Sequence, residues 1–194
     1  MASYQLPPLP QKLAIFDQFV PNSTVTLVLK EGLLSKFDIK ALDGTQVLNV
    51  TGSFFSLHRR KTVCDTAGNH LFDITKKLLH IHTTFALEGP GGQQFMEVKS
   101  KFALVGAKIR ATFVNASTGQ QVALFLKGNW FDTSAEIVDE ATGATVARID
   151  RKMLNARELV FGKQTYYLTV APGADMALLA AMCICLDEKK NESS

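Results

Sequence analysis

The side chains most able to take part in chemistry are basic, and they fall into short groups along the chain. Arginine presents a planar fork to phosphate or carboxylate and lysine a mobile point charge, so an anionic lipid headgroup could be held where two groups meet. The candidate residues for binding a lipid headgroup or another anion are Arg59, Arg60, Lys61, Lys76, Lys77, Lys99, Lys101, Lys108, Arg110, Arg151 and Lys152. The alternative interpretation of these residues is a solvated strand face.

The spacing inside two of these groups favours a shared surface. Lys99 and Lys101 are two residues apart, as are Lys108 and Arg110. Side chains two apart on a strand point to the same side, so each pair shares a face if its segment is a strand. We therefore expect two small basic faces from this stretch of sequence.

Metal and phosphate-loop chemistry are both disfavoured. His80 and His82 would share a strand face, but no third ligand for a metal is evident in the sequence, so we expect ordinary histidines and no metal site. The glycine-rich run at 89–92 lacks the Lys-Ser/Thr pair and helix start of a P-loop, and it is typical of a hairpin connection. No cofactor is predicted.

Signatures of catalysis are also missing from the sequence. There is no Gly-x-Ser-x-Gly elbow, no His-Glu-x-x-His and no Cys-x-x-Cys. Enzymatic activity is therefore not expected, and the basic groups are interpreted as binding residues.

Composition limits the class of protein. The 194 residues carry a formal net charge of +3 and are 46% hydrophobic, which predicts one globular domain over 1–194 with flexible ends at 1–12 and 188–194. The charge is far below that of typical duplex-binding domains, so nucleic acid is an unexpected partner. Three cysteines and a start without signal-peptide character predict an intracellular, cytoplasmic protein, held at most peripherally at a membrane, with no transmembrane segment.

One helix must be buried among the elements that position these residues. The run Asp175–Leu186 is apolar on every face, so it has to be enclosed, and Met176 to Leu186 rises only about 16 Å, too little to cross a bilayer. We expect Asp175 to cap its start and residues 187–194 to end it in water. Protein strands are then the predicted enclosure.

The sequence before this helix contains an internal repeat with an offset near 75 residues. The matching segments are Gly44–Val47 and Gly52–Phe55 with Gly119–Val122 and Gly128–Phe131, then Asp65–Gly68 and Leu71–Leu79 with Asp139–Gly143 and Val146–Leu154. Alternating segments, with Leu13–Phe19 counted as one, bring the number of predicted strands to about twelve. Closing them into a barrel would remove their exposed edges.

The same repeat makes Lys76-Lys77 equivalent to Arg151-Lys152. Charges at strand ends discourage edge-to-edge aggregation. Such protection is therefore an alternative role for these two pairs.

Several of these features together resemble the LURP-one-related family, which belongs to the Tubby C-terminal-like superfamily with the phospholipid scramblases. The resemblance covers Val25 to Leu186 and is carried by Phe37–Gly44, Val50–Gly52 and Asp65–Phe72 with the Asp-x-Gly turns and the terminal helix. It implies an all-β closed barrel of about twelve antiparallel strands, in two pseudo-repeats, around a central buried C-terminal helix.

The resemblance also implies a range of functions. Tubby domains bind phosphoinositides, scramblase-like members are linked to lipid translocation, and LURP-one-related members are linked to defence. No family site residue is transferred, and the cysteine cluster of the scramblases is absent here. The leading hypothesis is a non-enzymatic module tethered to membranes through phosphoinositide headgroups, with a defence or signalling role. The alternatives are a protein-binding adaptor without a small ligand and, more weakly, a scramblase-like activity.

Overall fold

Twelve antiparallel strands close into a barrel around one helix in the described part of the chain, which confirms the predicted fold class. The computed structural model describes residues 4–32, 36–52, 60–77, 82–102, 107–129, 134–150 and 165–191. Each strand pairs with its neighbours in sequence, and β1 pairs with β12 to complete the ring.

The bounds of the strands and of the helix are as follows. They are β1 Val25–Glu31, β2 Phe37–Ala41, β3 Gln46–Gly52, β4 Lys61–Cys64, β5 His70–Lys77, β6 Thr84–Glu88, β7 Gln94–Phe102, β8 Ala107–Val114, β9 Gln121–Asn129, β10 Ser134–Asp139, β11 Thr145–Asp150, β12 Thr165–Val170 and α1 Met176–Asn191.

The two copies of the internal repeat lie half a turn apart around the barrel. In the repeat, β3 corresponds to β9 and β5 to β11, six strands further around a ring of twelve. The predicted turn glycines share a left-handed backbone with φ between +69° and +87°, a conformation that side chains with a Cβ rarely adopt. These glycines are Gly44, Gly68, Gly119 and Gly143.

The helix α1 fills the barrel. Every side chain from Ala177 to Leu186 is at most 2% exposed, so the helix meets inward strand residues in all directions, as an all-round apolar helix requires. The prediction that the helix ends in water after Leu186 is wrong. It continues to Asn191, and Asp187 and Glu188 are also buried, because polar residues of the barrel wall meet them.

Asp175 caps the helix and also anchors the N-terminal segment. Its Oδ1 accepts the backbone N–H groups of Ala177 at 2.9 Å and Leu178 at 3.3 Å, which confirms the predicted cap. Its Oδ2 accepts the N–H groups of Ile15 at 3.1 Å and Phe16 at 2.8 Å. One carboxylate thereby joins two segments far apart in sequence.

The N-terminal segment closes this end of the barrel, but not as a strand. The prediction of a strand over Leu13–Phe19 is wrong, because the N–H groups of this segment bond to the carboxylate of Asp175, the side chain of Asn115 and the carbonyl of Gly173, and not to a neighbouring strand. Leu13 forms a single bridge to Ala174, and a 3₁₀ turn covers Asp17–Phe19. Its Phe16 packs between two core aromatic rings, those of Phe72 and Phe95, at centroid distances of 5.5 and 5.7 Å.

The pH dependence of stability tests this cap. Burial raises the pKa of Asp175 to about 6 against the lowering effect of its hydrogen bonds, while the unfolded carboxyl titrates near 3.8. Between these values the folded protein holds a proton that the unfolded chain releases, so the free energy of unfolding should fall as pH rises, by about 1.4 kcal/mol per pH unit. Below pH 3.8 and above pH 6 this contribution is constant.

Asp175→Asn supplies the comparison, because an amide cannot titrate. The difference in unfolding free energy between wild type and variant, from urea denaturation at several pH values, should decrease from pH 4 to pH 6. A difference that is constant over this window would contradict the assignment.

Candidate functional site

A groove of about 680 Å³ runs along the outer face of β7, β8 and β9 and reaches the turn after β10. We call it the outer groove. Its lining residues are Glu97, Lys99, Ile109, Arg110, Thr112, Phe125, Leu126, Lys127 and Glu140. The lining combines cations, carboxylates and an aromatic ring on a surface built of strands, which hold such groups in fixed register.

Strand pairing brings two of the predicted basic groups together in this groove. Lys99 on β7 faces Arg110 on β8, and Arg110 faces Phe125 on β9. Two residues further along the same two strands, Lys101 and Lys108 are register partners. The described side chains of Lys99 and Arg110 thus share one surface, to which β7 and β8 both contribute.

Carboxylates pair with two of the three cations described in the groove, Lys99 and Arg110. The ammonium of Lys99 lies 2.8 Å from Glu97 Oε1, and Arg110 donates from Nε to Glu140 Oε2 at 2.8 Å. The Lys99 and Arg110 side chains remain about half exposed, at 47% and 54%. Exposed pairs of this kind contribute little to stability, so the cations can change partner at small cost.

Lys61 lies inside the barrel and not in the groove. It is only 3% exposed, its Nζ is 2.8 Å from Glu188 Oε1 on the helix, and it sits 5.2 Å from the ring centre of Phe37. Its prediction as a surface anion-binding residue is therefore contradicted by burial. The reason is structural, since its strand position points at the helix.

Lys61 belongs to a set of polar residues that surrounds the end of the helix, which we call the polar collar. Tyr166 donates its hydroxyl proton to Asp187, and Lys189 donates to the Ser100 hydroxyl. Burial lowers the pKa of Lys189. The members of the collar are Glu31, Lys61, Ser100, Tyr166, Asp187, Glu188 and Lys189.

The pKa of the Glu31 carboxyl is shifted by burial and by charges of other collar residues. Burial raises its pKa, the charge of Asp187 adds to the rise, and the charge of Lys61 opposes it. The collar thus places acidic and basic groups close enough to influence one another at the end of the barrel.

The other predicted cations are spread around the barrel. Lys77 pairs with Glu88 at 2.5 Å, and Lys76 occupies a register position opposite Phe85, which is buried. Arg60 lies 3.6 Å from Asp73. The strands therefore do not bring these residues to the outer groove. Arg59, Arg151 and Lys152 lie outside the described residues, as does His80.

Of the described residues that line the groove, sequence reasoning had singled out only Lys99 and Arg110. Phe125 and Lys127 alternate along β9 in the same way as the predicted pairs, and Glu97 lies two residues before Lys99 on β7, so a two-residue spacing was available as a signal for all three. Glu140 carried no such signal, since only the pairing of strands brings it to Arg110. In the described part of the chain no cluster of three or more His, Cys, Asp and Glu residues is arranged to hold a metal ion.

The comparisons with known proteins agree with this architecture. A family model described as LURP-one-related matches residues 25–187, from the first strand to the polar collar. The chain belongs to the LURP-one-related family. Over the described ranges of this LURP-one-related protein, no helix has the length and hydropathy of a membrane span.

Relatives from Arabidopsis thaliana cover most of the chain. Protein LURP-one-related 1 is 22% identical over 192 residues, 94% of this chain and 85% of the relative. Protein LURP1 is 24% identical over 157 residues, 78% of this chain and 75% of the relative. An X-ray structure of a protein from Arabidopsis thaliana matches with a TM-score of 0.67 at 18% identity, covering 92% of this chain and 99% of the other. The structural match shows a shared fold.

The buried position of Lys61 in this LURP-one-related protein can be tested by stability. Lys61→Met leaves Glu188 buried without this partner and should lower the free energy of unfolding by about 3–5 kcal/mol. The double variant Lys61→Met/Glu188→Met removes both charges and should recover most of that loss, because well-packed apolar groups replace a buried ion pair at little cost.

Denaturant unfolding of the wild type and both variants measures these effects. A lysine on the surface would show a loss below about 1 kcal/mol for the single variant and no recovery in the double one. That result would contradict the inward position.

Proposed function

We propose that this protein is a non-enzymatic binding module whose outer groove holds the phosphorylated headgroup of an anionic membrane lipid, a phosphoinositide. The observation that carries the proposal is the pairing of Lys99 with Arg110 across β7 and β8, inside a groove that Lys127 also lines. A rigid sheet surface presents these charges together, so little order has to be gained on binding.

The types of residue in the groove suit a headgroup. The Arg110 guanidinium can grip two phosphate oxygens at once, while Lys99 and Lys127 add point charges beside it. Phe125 next to Arg110 offers an apolar surface for the uncharged part of the ligand. Lys101 and Lys108 occupy paired register positions further along the same strands.

Physiological context is the second part of this proposal. Family resemblance supports a defence or signalling role. Binding to phosphoinositides would then recruit the protein to membranes at which signalling takes place. The groove lies on the wall of the barrel and the helix is enclosed within it, so this mode of attachment would use the surface without inserting the helix.

Loss of the paired cations should weaken membrane binding. Lys99→Gln/Arg110→Gln removes two charges that each contribute about 1 kcal/mol near an anionic surface, so the partition coefficient should fall roughly 30-fold. Co-sedimentation with phosphatidylcholine vesicles containing phosphatidylinositol 4-phosphate measures this loss.

The matched control is Lys30→Gln/Lys40→Gln. These residues lie on β1 and β2, six strands away around the ring and thus across the barrel, and they carry the same total charge. The control should bind as wild type does. Equal losses in both double variants would show attraction by overall charge, and absence of vesicle binding by the wild type would refute the proposal.

A soluble headgroup separates membrane attachment from simple anion binding. Excess inositol 1,4-bisphosphate, the headgroup alone, should compete the protein off the vesicles if the groove reads the phosphate itself. Failure to compete, together with retention on the vesicles, would contradict headgroup recognition. Absent vesicle binding with recovery of a specific protein partner would favour the adaptor alternative.

A further inference from the structure

The position of Glu140 in the outer groove is fixed by the backbone. It follows β10 in a turn whose backbone N–H at Glu140 donates to Ala123 O on β9 at 2.8 Å. Asp139 braces the same turn, because its carboxylate accepts the hydroxyl of Thr142 at 2.6 Å. The Glu140 carboxylate is therefore presented to Arg110 by a braced turn, and its side chain alone has to move to release the guanidinium.

The contact between Glu140 and Arg110 is incomplete in a specific way. Nε and Nη2 of Arg110 both donate to the same oxygen, Oε2 of Glu140. A fork of two donors is better matched by two acceptors, which is why guanidinium and phosphate form bidentate pairs. Glu140 thus binds the guanidinium through only one of its two carboxylate oxygens.

Charge also favours the replacement of the Glu140 carboxylate by a phosphate group as the partner of Arg110. The carboxylate carries one negative charge, whereas a phosphomonoester carries about −1.5 to −2 at pH 7. Since the Arg110–Glu140 pair is about half exposed on both sides, the attraction that holds it is screened by water and easily replaced.

From these contacts we infer that Glu140 is an autoinhibitory carboxylate of the outer groove, which occupies Arg110 in the unliganded protein and is displaced by a phosphomonoester group of the ligand. The inference rests on the proposed function of the groove and adds its regulation. Glu140 lowers the affinity of the groove for every anion, so only ligands that bind Arg110 more strongly than a carboxylate occupy it.

The test is a double-mutant cycle on vesicle binding. Glu140→Gln in the wild-type background should raise the affinity for vesicles with phosphatidylinositol 4-phosphate about fivefold, because the ligand no longer has to break an exposed ion pair to reach Arg110. In the Arg110→Gln background the same change should have no effect, because Glu140 then has no guanidinium to occupy. Lys99 and Lys127 keep binding measurable in that background when the lipid fraction is high.

Asp38→Asn is the matched control. Asp38 pairs with Lys40 at 2.8 Å on β2, across the barrel, so this variant also removes one negative charge beside an exposed cation. It should leave vesicle affinity unchanged. An equal gain from Glu140→Gln with and without Arg110, or an equal gain from Asp38→Asn, would show a general charge effect and overturn the inference.

The remaining outcomes separate this inference from the proposed function. If Lys99→Gln/Arg110→Gln weakens binding as expected but Glu140→Gln leaves it unchanged or lower, the groove binds headgroups and the autoinhibitory role of Glu140 is wrong. If neither wild type nor Glu140→Gln binds the vesicles, the proposed function fails and this inference fails with it.

Discussion

The enclosure of an all-round apolar helix is the constraint on which the structure depends. Side chains from Ala177 to Leu186 point in every direction and none reaches solvent, so strands must surround the helix on all sides. An open sheet would leave one side of the helix in water at a cost of about 1.5–3 kcal/mol for each large side chain. The closing pair of β1 with β12 removes that cost and removes sheet edges as well.

The two ends of the helix are treated differently from its middle. At the start, Asp175 joins the cap to the N-terminal segment through four backbone N–H groups. At the other end, the polar collar gives Asp187 and Glu188 specific partners on the wall. These polar contacts at both ends add directional constraints on the depth and rotation of the helix to those from apolar packing. The strands that form the outer groove therefore pack on their inner side against a helix that is held at both ends.

The buried helix follows from a strong local pattern, whereas the barrel of about twelve strands was implied by the resemblance to the LURP-one-related family. The apolar run after Asp175 cannot be a surface helix, and the turn glycines recur with the 75-residue offset of the repeat. Local pattern failed where tertiary contacts decide. The alternation in Leu13–Phe19 is real, but the N–H groups of Ile15 and Phe16 bond to Asp175, about 160 residues further along the chain. Lys61 reads as a surface cation until Glu188 is placed opposite it.

In the candidate site, too, local spacing predicted some features, whereas others depend on tertiary contacts. The spacing of Lys99 and Arg110 within their own segments was enough to predict two basic faces, but not which residues stand opposite each other. Register determines that, and it depends on hairpin ends and bulges such as the shift between Leu87 and Glu88. Glu140 reaches Arg110 only through this register, so single-sequence patterns could not reveal that a carboxylate already occupies the guanidinium.

The place of the helix in chain order has a consequence for biosynthesis. All twelve strands precede α1, so they leave the ribosome before the element that fills their interior exists. Until α1 is made, the inward faces of the wall have no partner, and β1 must also wait for β12. Such late, non-local contacts are typical of slow folding with transiently exposed apolar surface. Nascent chains of this protein should accordingly expose apolar surface until α1 has left the ribosome.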